Sequence, residues 1–392
     1  MQLINFDHIS ANPILPEVQE AMIDTMKNNF GNASSQHQLG DKASRAIDAA
    51  RESVARLVNC GDPKRIIFTS GGTESVNHAI KGMALANMDK GKHLVTTNIE
   101  HKAVINSLRF LKKMGFNITS VPVDSRGRVD PKNIEKAIRD DTILVSAMHS
   151  NNEIGTIQPI EEIAKITKEK GVLFFCDAVD SVGVVPMDVE TLGVDAMAFA
   201  SNPFYGPTGA GGLYIKPGLK IMPLIDGGAQ ENNRRAGAEN VMGIVGMGVA
   251  ADLALKHMDE RVNHLRSLRE KMIQDLPGSI DEYIINGDPN SCLPNLVSIS
   301  LKYIEGESVV LMLDDDNIAA STRSACASGS LRASHVLLST GLEFADAQGT
   351  LVITFGIDNT EKDVEQFLAV LKNAVTVLRG MSPLYQKEKT AP

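Results

Sequence analysis

Four stretches of this 392-residue chain combine residue types that can do chemistry. The run Thr69-Ser70-Gly71-Gly72-Thr73-Glu74-Ser75 follows an apolar segment and opens an amphipathic one. Glycines there let a backbone approach an anion, and the N–H groups of a helix start can hold it. A tight strand-to-helix turn capped by Thr73 would use the same letters. Asp177 closes the apolar run Val172–Cys176, and a carboxylate at the end of a buried strand needs a partner to stay ionised. A protonated pyridine nitrogen is one such partner, and a helix cap is the alternative. His101 stands at the start of a helical pattern, where it can stack on a planar ligand, exchange protons, or simply cap. Cys326 lies in Ser324-Ala325-Cys326-Ala327-Ser328-Gly329-Ser330. Small neighbours suit an exposed, reactive loop thiol better than a packed one.

Elements that could position these groups are visible in the hydrophobic pattern. Arg65–Thr69, His93–Thr96, Thr142–Ala147 and Val172–Cys176 read as buried strands. Between them, Glu74–Asn87, His101–Met114 and Glu161–Lys170 carry apolar residues at helical spacing. Alternating strands and helices predict a mainly parallel α/β sheet covered on both faces, with chemistry at the carboxyl ends of its strands. Beyond about Val262 the pattern changes to a charged helix (Arg261–Leu276), the strands Leu296–Ser300 and Leu351–Phe355, and a last helix from about Glu361 to Arg379. This fits a smaller α+β domain. Gln386–Pro392 are polar and read as a frayed end.

Composition narrows the classes. A net charge of −9 opposes general nucleic-acid binding, which calls for a basic stripe. The four cysteines, Cys60, Cys176, Cys292 and Cys326, form no zinc-spaced cluster, and their scatter suits a reducing compartment. The first residues lack the pattern of a signal peptide, and no apolar run reaches membrane-spanning length. The expectation is a cytoplasmic protein that engages neither membrane nor nucleic acid.

The order and spacing of the motifs resemble cysteine desulfurases of the NifS/IscS group, within the class V aminotransferases and the fold-type-I pyridoxal phosphate enzymes. The resemblance runs nearly end to end. It rests on Gly31–His37, Thr69–Ser75, Glu100–Val104, Asn151–Thr156, Asp177-Ala178, Tyr205-Gly206-Pro207, Gly211–Tyr214, Tyr303–Ser308, Ser324–Cys326 and Ser382–Tyr385. It implies a large domain over residues 16–260 with a seven-stranded sheet. Residues 1–15 and 261–392 would form the small domain that carries the cysteine loop. It also implies that Gly72 and Thr73 meet the cofactor phosphate, His101 stacks on the ring and Asp177 pairs with its nitrogen. Asn152, Asp180 and Asn202 would lie around the phenolic oxygen or substrate, and Cys326 would carry sulfur as a persulfide. A homodimer that docks an IscU-type iron–sulfur scaffold through Ser382–Tyr385 is the implied assembly.

The chain departs from that family where the chemistry is concentrated. The family reads Ser-x-His-Lys before Tyr-Gly-Pro, its lysine holding the cofactor as a Schiff base. Here Ala200-Ser201-Asn202-Pro203-Phe204 precedes Tyr205, with Asn202 and Pro203 at the histidine and lysine positions. No lysine lies between Lys170 and Lys216. Ala200 and Ala238 replace hydroxyl residues that would bind phosphate, Asp180 replaces a glutamine, and Ile357 replaces the arginine that would clamp the substrate carboxylate. Isoleucine cannot reproduce that bidentate pairing. The resulting expectation is a desulfurase-like protein of iron–sulfur assembly that has lost ordinary desulfuration. Pyridoxal phosphate would bind weakly and non-covalently, or not at all. Cys326 would handle sulfur from sulfide or a persulfide, or ligate a nascent, shared cluster. The alternatives are an active desulfurase using non-covalent cofactor and a catalytically dead dimer that positions a scaffold.

Overall fold

A computed structural model describes residues 3–322 and 333–390. Strand β1 (Ile4–Asn5) is followed by the strands of the main sheet: β2 (Ile66–Thr69), β3 (His93–Thr97), β4 (Asn117–Val121), β5 (Thr142–Met148), β6 (Leu173–Asp177), β7 (Ala196–Ala200) and β8 (Gly211–Ile215). Their spatial order is β2-β8-β7-β6-β5-β3-β4. Strands β4, β3, β5, β6 and β7 are parallel, and β8 runs antiparallel to both β7 and β2. Successive residues feed opposite faces of the sheet. Phe174 and Cys176 enter one core cluster, while Phe175 enters the other. This is the α/β fold expected from the sequence.

The helices cover these faces with apolar stripes. The helix Gln38–Leu57 buries Ala43, Ile47, Ala50, Val54 and Leu57, a spacing of three and four. Against it packs Val241–Lys256, so closely that a Cβ on Gly248 would stand 2.7 Å from Ala50. Among the described residues, no single helix is long and apolar enough to cross a membrane.

The remaining strands are β9 (Tyr283–Asn286), β10 (Leu296–Leu301), β11 (Ile318–Ala319) and β12 (Thr350–Thr354). Strands β9, β10 and β12 form an antiparallel sheet, and β1 pairs in parallel with β11. Their core cluster joins Ile4 and Phe6 to the helices Met258–Asp275 and Glu361–Met381. The latter opens on a capping box between Thr360 and Asp363, which satisfies donors at its N-terminus. In the former, Val262 belongs to the large core and Leu265 to the small one. We propose two folding units on this basis, 16–260 and 1–15 with 261–392. One sequence expectation is corrected. The chain end is helical over Pro383–Thr390, started by a proline at a position that suits it and held by Tyr385 against Tyr303 and Arg379.

Phe6 is fully buried, with Phe355 and Phe367 edge-on to it at 5.5 and 5.3 Å. Phe6→Ala should therefore lower unfolding free energy by about 3–5 kcal/mol in chemical denaturation. A loss below about 1 kcal/mol would show that the N-terminal strand is not integral to the small core.

Candidate functional site

Because β2, β3, β5, β6 and β7 point one way, their carboxyl ends deliver Thr69, His101, Asn152, Asp177 and the turn Ser201–Phe204 to one edge. The helix Gly72–Ala86 begins there, with Gly71 at φ 147° as its cap. A Cβ on Gly72 would stand 2.6 Å from Val179 Cγ2, so glycine is what lets this helix start against the Asp177–Asp180 turn. Thr73 is exposed on the first helical turn. Next to it, Glu74 accepts from Ser70 N (2.8 Å) and Arg235 Nε (3.0 Å). Burial opposes its charge, yet these bonds hold the carboxyl below the ordinary range.

His101 caps the helix Lys102–Lys113, its Nδ1 accepting from Ala103 N at 3.1 Å. This fixes the half-buried ring at the mouth of the edge. Asp177 accepts from Val179 N at 3.1 Å through Oδ1. Burial, then the charge of Asp180, pushes its carboxyl up to about 7. Asn152 is buried on the turn after β5. Asn151 shapes that turn by donating to Ile99 O and accepting from Glu153 N and Ile154 N. Asn202 is engaged by Asn12. Its Oδ1 accepts from Asn12 N (3.3 Å) and its carbonyl from Asn12 Nδ2 (3.0 Å). Asp180, Pro203 and Ile357 line one small cavity with His8.

Cys326 lies outside the described residues. Where the described chain resumes, Ser334 donates to Glu153 and His335 Nε2 pairs with Glu100 O at 3.0 Å beside the strand-end edge. Cys176 is fully buried, and burial drives its thiol well above the ordinary range, so it packs rather than reacts. Among the described residues, no group of His, Cys, Asp and Glu is placed to hold a metal.

Sequence reasoning missed Glu100. Its Oε1 accepts from Thr97 Oγ1 (2.6 Å) and Met148 N (3.0 Å), while Oε2 is buried without a partner. Burial, with Asp177 adding its charge, pushes this carboxyl up to about 8. Its place directly between Ile99 and a helix cap was the one local hint, and an acidic residue there reads by default as solvated.

The class-V aminotransferase model matches residues 4–367. The chain belongs to that family. Its relatives include "Cysteine desulfurase IscS" of Dictyoglomus turgidum, 47% identical over 386 residues and 98% of each chain. "Cysteine desulfurase IscS 1" of Archaeoglobus fulgidus is 47% identical over 97% of this chain and 99% of its own. Among solved structures, a "NIFS-LIKE PROTEIN" superposes with TM-score 0.90 at 36% identity, covering 96% of this chain and all of its own. "SspA in complex with cysteine" gives 0.79 at 32%, covering 90% and 98%. Class-V chains of this kind imply pyridoxal phosphate, which when bound supplies an electron sink.

The donor set fits that group in part. Gly72 and Thr73 offer a helix start for a phosphate, the His101 ring stands where the chain leaves a neighbouring strand, and a pyridinium opposite Asp177 would favour its ionised form. A Schiff-base anchor has no counterpart in the turn after β7, where Ser201, Asn202, Pro203 and Phe204 contain no amine. Ser201 Oγ is buried without a partner, and a Cβ on Gly206 would stand only 1.9 Å from it.

The buried carboxyls make a pH signature. Glu100 at about 8 lies above its ordinary 4.5, so the fold holds a proton that the unfolded chain releases. Stability contributed this way is lost as pH rises from about 4.5 to about 8. Glu100→Gln keeps the acceptor for Thr97 and Met148 but removes the titration. Its melting temperature should gain on the parent's steadily across that window. A difference that stays constant with pH would exclude the buried acid.

Proposed function

We propose that this chain is a sulfur-handling protein of iron–sulfur cluster assembly. In this reading Cys326 accepts and passes on sulfur, and ordinary pyridoxal phosphate-dependent desulfuration is lost. The amine-free turn Ser201–Phe204 carries the argument. A positioned acid/base contributes roughly 10²–10⁴-fold in rate, and here the base, the covalent tether and, at Ile357, the carboxylate clamp are all replaced. The Cys326 thiolate would take the outer sulfur of a donor persulfide. Its attack on that sulfur forms one S–S bond, breaks another and releases the donor thiolate.

A second reading is an active cysteine desulfurase using non-covalent pyridoxal phosphate. The relatives named as cysteine desulfurases support it more directly than the first reading. The retained positions of Asp177 and His101 favour it too.

A homodimer is supported by exposed apolar side chains on and beside the helix Pro16–Asn28, Met26 and Phe30 among them. Docking of an IscU-type scaffold is supported by a groove of about 640 Å³ between Tyr303 and Leu384, rimmed by exposed Met381.

The protein should be loaded with pyridoxal phosphate, desalted, and given cysteine while absorbance, alanine and sulfide are followed. The first reading expects no Schiff-base absorbance, no alanine from cysteine, and a Cys326 persulfide only when a persulfide donor is supplied. Cofactor-dependent alanine production with sulfur on Cys326 would overturn it in favour of the second.

A further inference from the structure

Three residues that line a single cavity each carry a buried polar atom without a hydrogen-bond partner: Nε2 of His8, Nη1 of Arg261 and Oδ1 of Asn295. Such orphans are uncommon, and their convergence on one space points to an occupant. The cavity measures about 20 Å³, enough for a one-atom body, which needs about 10–15 Å³, and too small for an amino acid. Asp180, Pro203 and Ile357 complete its wall, so it lies directly beside the strand-end edge.

The polarity of the wall can be worked out atom by atom. Asn12 Nδ2 donates to His8 O (2.9 Å) and Asn202 O (3.0 Å), which fixes Asn12 Oδ1 as the acceptor facing His8 Nδ1 at 2.7 Å. His8 Nδ1 therefore donates. Its Nε2 accepts when the ring is neutral and donates when it is protonated. The exposed Asp358 Oδ1 lies 3.4 Å from Nε2, outside the cavity wall. Ring and backbone are fitted closely, since a Cβ on Gly356 would stand 2.1 Å from His8 Cε1.

Arg261 is only 9% exposed and lies over the Tyr205 ring at 5.6 Å. Among the described residues, no carboxylate comes within 4.0 Å of it in an ion pair. Burial disfavours its charge, which Tyr205, Glu260 and Glu17 offset only in part. A guanidinium buried this way calls for an anion more than for a neutral water.

We propose that this cavity binds a one-heavy-atom monoanion, hydrosulfide in preference to chloride, with Arg261 Nη1 as its main donor. Both ions answer the guanidinium, and both accept from a protonated His8. Only hydrosulfide has a hydrogen to give Asn295 Oδ1, which beside chloride would be left facing negative charge. The anion site stands on the geometry alone, while hydrosulfide as its natural occupant rests on the sulfur-handling reading above.

The test uses Cys326→Ala protein, which cannot carry sulfur on that thiol, so that occupancy is read independently of sulfur transfer. Crystals soaked in sodium bromide should show an anomalous peak within hydrogen-bonding distance of Arg261 Nη1. Anaerobic hydrosulfide should displace it at lower concentration than chloride does. In solution, Arg261→Met should raise the bromide concentration for half-maximal thermal stabilisation about tenfold or more, measured against gluconate at equal ionic strength. His8→Phe should weaken it in the same direction if Arg261→Met does not fold. A site holding only water in bromide overturns the proposal. Bromide that hydrosulfide displaces no better than chloride marks an adventitious ion only, and overturns the sulfur assignment.

Discussion

Strands that run in the same direction must release the chain at the same edge. That geometric constraint organises the molecule. The carboxyl ends of β3, β5, β6 and β7 deliver His101, Asn152, Asp177 and the Ser201–Phe204 turn to one line, although these groups are up to a hundred residues apart. Antiparallel β8 adds to the effect. Its first residue, Gly211, pairs with both Thr69 and Ala200, and a Cβ there would collide with Gly71 backbone. Backbone crowding accounts for the glycine at 211, while at 71 it is the backbone conformation, φ 147°, that favours glycine.

The edge is also where burial and charge conflict. Two carboxyls, Glu100 and Asp177, lie out of water within one another's field, and each is pushed toward its neutral form. Nearby, Arg261 is a cation in the same predicament. Asp180 links the two: its charge raises the Asp177 carboxyl, and its side chain stands in the wall of the cavity that holds Arg261.

Much of this was readable in the letters, and the failures have physical causes. Strands β2, β3, β5 and β6 declare themselves because runs such as Ile66-Ile67-Phe68 and Leu173-Phe174-Phe175 are apolar and bulky. Strand β7 is Ala-Met-Ala-Phe-Ala, and β8 begins Gly211-Gly212, so neither has strand-like composition. Gly212 is there because the Phe199 ring occupies the space of its Cβ. Asp177 was legible from its place after a buried run, and Glu100 was not, because an acidic letter before a helix reads by default as solvated. The engagement of Asn202 by Asn12 depends on a contact spanning 190 positions, which no local pattern reveals. The same holds for the meeting of His8, Arg261 and Asn295.

The packing of Phe6 against Phe355 and Phe367 has a consequence for how the molecule comes into being. Phe6 is synthesised well before the two rings that cover it. At about 5–20 residues per second, Phe6 waits roughly 20–70 s for its partners to be made. The main sheet, finished by Ile215, can close long before then. During that interval the segment around Phe6 lacks the core that buries it, a point at which one nascent chain could capture another.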